Sequence, residues 1–235
     1  MIECADMITH PDQLYHWHEL GVRAVGLTHI PEGRCGFGNA QDGPLTRLGV
    51  ALLEAMGELR MVLDVSHLAD IGMSQAFELF PGSMMASHSN CRSLVPGMRQ
   101  ITDQQIKTIA SRHGVVGVVL SVAMLATGIN RETHRREQVT LDHVARHIDH
   151  ICQLVGSAEH VGIGSDLDGG FGQEYVPHEI DSIADLHRIG EALHRRGYKD
   201  DDIRHIMFGN WHNFWQRNIH QEQQGGIAGE SPFKP

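Results

Sequence analysis

The chain has 235 residues, with 19 Lys and Arg against 29 Asp and Glu, giving a formal charge of −10. At 41% hydrophobic and 20% charged residues the composition is ordinary for a globular protein, which excludes collagen-like, low-complexity and disordered chains. A pI near 5.9 speaks against nucleic-acid binding through a basic surface.

In chain order, short apolar runs alternate with helical patterns. Ile2–Cys4 is the first run and Ala24–His29 (AVGLTH) the second. Thr46 then caps a helix whose stripe is Leu48, Leu52, Leu53, Met56 and Leu59. Met61–His67 (MVLDVSH) and Met84–Ser89 (MMASHS) follow as runs. Thr102 with Gln105 predicts a capping box, Ile106 and Ile109 a buried stripe, and Gly114 the helix stop. After Val115–Ser121 (VVGVVLS), Val144, Ile148, Ile151 and Val155 form a helical stripe that ends at Gly156. His160–Asp166 (HVGIGSD) is the last run, and Ser182 opens a helix carrying Ile183, Leu186 and Leu193 and closed by Gly197. Trp211 and Trp215 are expected to anchor a terminal helix, and 221–235 to form a loose, Gln/Gly-rich tail behind one domain over 1–220. Continuous rather than alternating apolar runs predict strands covered on both faces, hence a parallel α/β architecture.

No run of about 18 apolar residues is present, so no membrane span is expected. The start MIECADMITHPDQ does not read as a signal peptide, nor the end as a lipid-anchor signal. Cys4, Cys35, Cys91 and Cys152 are scattered without a CxxC pair; free thiols in a reducing cytoplasm are expected.

The runs end in polar groups. His29 closes the second run, His67 the third and Asp166 the last, while His88 lies between two serines. Parallel strands place their C-terminal ends on one face, so these residues should converge. Imidazole and carboxylate together suit zinc or a similar divalent metal. Other candidates fare worse. His143, His147 and His150 flank a buried stripe without an HExxH carboxylate and are expected to be solvated. Asp166–Gly170 (DLDGG) begins like a calcium loop, but Phe171 and Pro177 stand where Gly and Glu are needed.

The segments GVRAVGLTH (Gly21–His29), GPLTRLGVALLEAM (Gly43–Met56), VLDVSH (Val62–His67), ASHSNCRSLVPGMRQITDQQI (Ala86–Ile106) and HVGIGSDLDG (His160–Gly169) together resemble the membrane (renal) dipeptidase family of zinc metallopeptidases, in order and spacing, from Glu3 to about Asn218. The resemblance implies a TIM-type (β/α)8 barrel of the metal-dependent hydrolase kind, hydrolysing dipeptides or small N-acyl amino acids with two zinc ions bridged by a glutamate. By position, Glu3 matches that bridging glutamate, and His67 and His88 the histidines of the second metal. His29 matches the histidine at the substrate carbonyl, Arg99 the arginine that holds the substrate carboxylate, and Asp166 the acid/base aspartate near the substrate amine.

Three features depart from the family pattern. No His-x-Asp, the remaining ligands of the first metal, lies upstream of Glu3, so about six strands and one or two zinc ions are expected. Glu3-Cys4 replaces Glu-Gly, and Arg99-Gln100 replaces Arg-Asn. An open six-stranded sheet should expose two edges and an apolar interior. Three explanations follow: a fragment, a chain that pairs with another copy or another polypeptide (a homo-oligomer being the expected assembly), or a degenerate non-catalytic member acting as a binding or scaffold protein.

Overall fold

The structure is a computed structural model and describes residues 1–129 and 132–219. Its five strands are short and parallel: β1 (Ala24–Gly26), β2 (Val62–Asp64), β3 (Met84–Met85), β4 (Val116–Val118) and β5 (Val161–Ile163). One ladder pairs β1 with β2 and β2 with β3, and a second pairs β4 with β5. A single parallel bridge, Ala86 to Val116, joins the two ladders, and another, Ile2 to Val25, adds the N-terminal run. The strands therefore follow chain order around one parallel arc. Ile2–Cys4 is a bridge and not a sixth strand. Among the described residues no pairing returns from β5 to Ile2.

The segments between strands fold as helices for reasons visible in the chain. They are α1 (Gln13–Glu19), α2 (Arg47–Glu58), α3 (Asp70–Leu79), α4 (Asp103–Ser111), α5 (Val122–Leu125), α6 (Leu141–Val155), α7 (His187–Arg195), α8 (Asp200–Arg204) and α9 (Asn210–Ile219). Thr46 Oγ1 accepts from the Gly49 N–H at the start of α2, and Thr102 and Gln105 close the expected capping box on α4. Gly156 ends α6 at φ 71°, the left-handed position that favours glycine. Leu52, Leu53, Met56, Ile106, Ile109, Val144, Ile148 and Ile151 are buried against the strands.

Several expectations need correction. Gly114 is not the stop of α4: Arg112 caps the helix and His113, at φ 57°, makes the left-handed turn. Gly114 is required for a different reason, since a methyl group there would strike the Met84 carbonyl. Ser182 caps a 3-10 turn, Ile183–Leu186, ahead of α7, and Ile183 is 74% exposed. In α9 the buried anchor is Phe214, with Trp211 and Trp215 packed half-buried beside it. The loose tail expected over 221–235 lies outside the described residues.

Helix α9 changes what an open arc exposes. The Asn210 side-chain amide donates to the Val161 carbonyl at 2.7 Å, and the Trp211 indole N–H donates to the Ile163 carbonyl at 3.1 Å. Two edge carbonyls of β5 are thus satisfied by side chains where a next strand would otherwise pair. Gly162 lets this happen, because a methyl there would collide with the indole. Phe214 meanwhile packs with Ala24, Val62, Met85 and Val115 near the strand starts, away from the ends where the polar residues gather.

Candidate metal centre

Every apolar run outlasts its strand, and the excess carries chemistry. His29, His67, His88, Ser121 and Asp166 each lie three residues beyond the last residue of β1, β2, β3, β4 and β5. Once hydrogen-bonded pairing stops, the chain turns over the C-terminal rim and these side chains project into one space. A cleft of about 530 Å³ is lined there by Glu3, His29, Asn39, His67, Arg99, Ser121, Met124, Asp166, Asp168 and Phe171, among others. The sequence expectation that residues distant in the chain meet at one rim is met.

Glu3, His67 and His88 form a group that could hold a metal ion, with one ligand atom from each within 4.8 Å of the others. The two Nε2 atoms lie 2.9 Å apart, and Glu3 Oε1 is 3.3 Å from each. These are not ion pairs. Burial, followed by the Arg99 charge, pushes His67 down to about 2 and His88 down to about 4. Both rings are therefore neutral at pH 7 and keep a lone pair for a cation. Two neutral imidazoles and a carboxylate are the donor set that zinc takes, so the residues present fit the metal. The His67 backbone and the His88 ring are also held from behind. The Thr28 hydroxyl donates to the His67 carbonyl at 3.0 Å, and His88 Nδ1 sits 2.7 Å from Ser87 Oγ.

The other expected residues surround this group. The His29 and His67 ring centroids are 4.4 Å apart. Arg99 lies beneath the group with its terminal nitrogens engaged: NH1 donates to the Ser66 carbonyl (2.7 Å) and Ser89 Oγ (3.2 Å), and NH2 to the His88 carbonyl (2.9 Å), with His67 Nε2 at 3.3 Å. To hold a substrate carboxylate with both nitrogens, the guanidinium has to exchange some of these partners. Asp166 adopts φ 56°, a left-handed conformation that costs a non-glycine residue about 1 kcal/mol. Burial first, and the Glu3 charge second, push its carboxyl up to about 6 against the opposing pull of Arg99. A methyl group on Gly169 would meet that carboxylate, so the Asp166 side chain would have to shift.

The three α6 histidines do not join the group, but one differs from expectation. His147 is 1% exposed and not solvated: its Nδ1 accepts from the Cys91 N–H at 3.1 Å and its Nε2 lies 3.3 Å from the Leu125 carbonyl. It ties α6 to the segment after β3 and to the end of α5. His143 caps its own helix at the Thr140 N–H, and His150 pairs with Asp103 at 2.8 Å. Reading the sequence overlooked Ser121, although it closes its run as His67 closes another. It also gave no role to Asn39, Asp64 or Ser87; the last two lie inside quoted motifs. Gln100, where the family pattern has Asn, is buried and donates to the Met124 carbonyl at 2.7 Å.

Comparison with known proteins gives the arrangement a lineage. The chain is 32% identical over 217 residues to an uncharacterized protein from the pqqA 5′ region of Klebsiella pneumoniae, covering 87% of this chain and 76% of that one. It is 27% identical over 229 residues to Dipeptidase 3 of Rattus norvegicus, covering 94% of this chain but 44% of the relative. Among solved structures it matches a metallo peptidase from Rhodobacter sphaeroides, liganded with a phosphinate mimic of the dipeptide L-Ala-D-Ala, with a TM-score of 0.77 at 28% identity, covering 88% of this chain and 59% of that one. The chain thus spans about half the length of the named dipeptidases that it matches. The family model for membrane dipeptidase (peptidase family M19), a zinc-dependent family, matches residues 1–225. On this match the chain belongs to the membrane dipeptidase family M19.

Proposed function

We propose that this chain carries the rim of a zinc-dependent dipeptidase, within a (β/α)8 barrel of which the arc is part. The observation that supports it is the meeting of Glu3, His67 and His88 at a cleft that Glu3 and His67 line together with His29, Arg99 and Asp166. Glu3 Oε1, His67 Nε2 and His88 Nε2 would hold one zinc ion. When bound, zinc supplies a Lewis acid that brings the pKa of a water toward neutrality.

The chain's own residues supply the rest. Asp166 is a half-buried carboxylate with its pKa pushed up to about 6, so it takes up and releases a proton near neutral pH. It accepts the proton of the attacking water and passes it to the departing amine. The His29 ring, beside His67, donates to the oxygen of the scissile carbonyl as negative charge develops there. Arg99 turns part of its guanidinium from the Ser66 and His88 carbonyls to the substrate's free carboxylate, which selects short peptides or N-acyl amino acids by their C-terminus. Phe171 and Met124 give the cleft an apolar wall for a side chain.

The test is hydrolysis of a dipeptide panel with added zinc, with H67A as the control. Zinc-dependent turnover that H67A abolishes supports the reading. Zinc bound without turnover supports the second reading, a metal-binding scaffold. That reading is favoured by a single observation: among the described residues only one group of three metal-capable side chains is found, where the resemblance implies ligands for two ions.

A further inference from the structure

Behind His88 lies a buried set of polar groups that the proposed reaction does not use. Asp64 ends β2 and is 3% exposed. Its Oδ1 accepts from the Ser66 N–H (3.1 Å), the Ser66 hydroxyl (2.7 Å) and the Ser87 N–H (2.9 Å). Its Oδ2 accepts from the Ser87 hydroxyl at 2.5 Å. Ser87 Oγ is in turn 2.7 Å from His88 Nδ1, and Ser66 Oγ accepts from the His88 backbone N–H at 3.1 Å.

Counting protons gives this chain a direction. A carboxylate only accepts, and a serine hydroxyl has one hydrogen to donate. Ser87 Oγ also lies 3.2 Å from Ser66 Oγ, but its hydrogen goes to the nearer and charged Asp64 Oδ2, whose sole side-chain partner among the described residues is that hydroxyl. Ser87 Oγ therefore receives from His88, which requires the ring proton on Nδ1. Nε2, the atom that faces Glu3 Oε1 and His67 Nε2, is then bare. We infer that Asp64 and Ser87 are positioning residues that fix the Nδ1–H tautomer of His88 and so keep its Nε2 lone pair aimed at a cation. His67 has a weaker support, Asn39 Oδ1 at 3.4 Å from its Nδ1. Orienting partners of this kind typically change metal affinity by about 10–100-fold.

The inference rests on the metal-site reading, and two measurements separate them. In the zinc-free protein, ¹⁵N chemical shifts of the His88 ring report the tautomer without any metal. The relay predicts a protonated Nδ1 and an unprotonated Nε2 in the wild type, and a mixed or reversed population in S87A, with S87T restoring the wild-type pattern. An unchanged pattern in S87A overturns it. Zinc affinity by chelator competition should weaken about 10–100-fold in S87A and D64N and recover in S87T. Affinity within twofold of wild type in S87A also overturns it. S87A removes one oxygen at a half-buried position, so it remains informative if the more drastic D64N does not fold. A wild-type chain that binds no zinc would count against the metal reading alone, because the tautomer would still report on the relay.

Discussion

Two groups of three histidines in this chain have different surroundings. His29, His67 and His88 stand on the C-terminal rim of the arc, and His143, His147 and His150 on helix α6. Burial does not distinguish them, since His67 at 7% and His147 at 1% exposed are both inside. What distinguishes them is the use of the ring nitrogens. His147 has one nitrogen on the Cys91 N–H and the other at the Leu125 carbonyl, so none is left for a ligand. His67 and His88 turn their Nε2 atoms toward each other and toward Glu3, an arrangement that could hold a cation. A ring whose two nitrogens are both taken up by backbone groups, as in His147, is a cross-link; rings whose Nε2 atoms converge beside a carboxylate are placed to take a cation.

Four predictions test that contrast, in decreasing size of effect. Replacing a rim ligand, by H67A or E3Q, should reduce bound zinc from about one per chain to below about a tenth, because two ligands hold the ion far less well than three. Elemental analysis after desalting checks this. H147A should do the reverse, leaving zinc content unchanged while stability falls by about 2–5 kcal/mol in urea unfolding. It opens a cavity and leaves the Cys91 N–H and the Leu125 carbonyl unpaired.

Smaller still is the loss expected for N210A, about 1–3 kcal/mol from unpairing the Val161 edge carbonyl, again without effect on zinc. A pH series on the zinc-free protein is the fourth. Unfolded histidines bind protons near 6.5, whereas burial holds His67 at about 2 and His88 and His147 at about 4. The unfolded chain therefore binds more protons in between. Stability contributed by these groups is present above pH 6.5 and is lost as pH falls toward 4, at up to about 1.4 kcal/mol per pH unit for each group. Asp166 has the opposite sign. Its folded value of about 6 lies above the ordinary 3.8, so its contribution is full below 3.8 and is lost as pH rises through 6. D166N should make the acid loss steeper and H147Q shallower, as read by denaturant midpoints between pH 4 and 7.

The parts of this organisation that were legible in sequence are local or periodic. Thr46, Thr102 with Gln105, and Gly156 mark helix ends through hydrogen bonds and backbone angles set within a few residues, and each marks its helix end as expected. The rim was legible because the polar residue at the end of each apolar run sits where pairing has stopped. Interactions between distant segments were not legible. Nothing near His147 in the chain announces the Cys91 N–H, 56 positions away. Nothing in the Asn210–Trp211 pair announces that both side chains cap the edge of β5. Gly114 resembled a helix stop because glycine often serves as one, yet it is held by contact with Met84 on a neighbouring strand.

The most direct test of the central claim is anomalous diffraction at the zinc edge from crystals of the zinc-loaded chain. The account predicts a peak about 2.0–2.2 Å from His67 Nε2, His88 Nε2 and a Glu3 carboxylate oxygen. A peak at the α6 histidines, or a rim without zinc in crystals that carry it elsewhere, would contradict it.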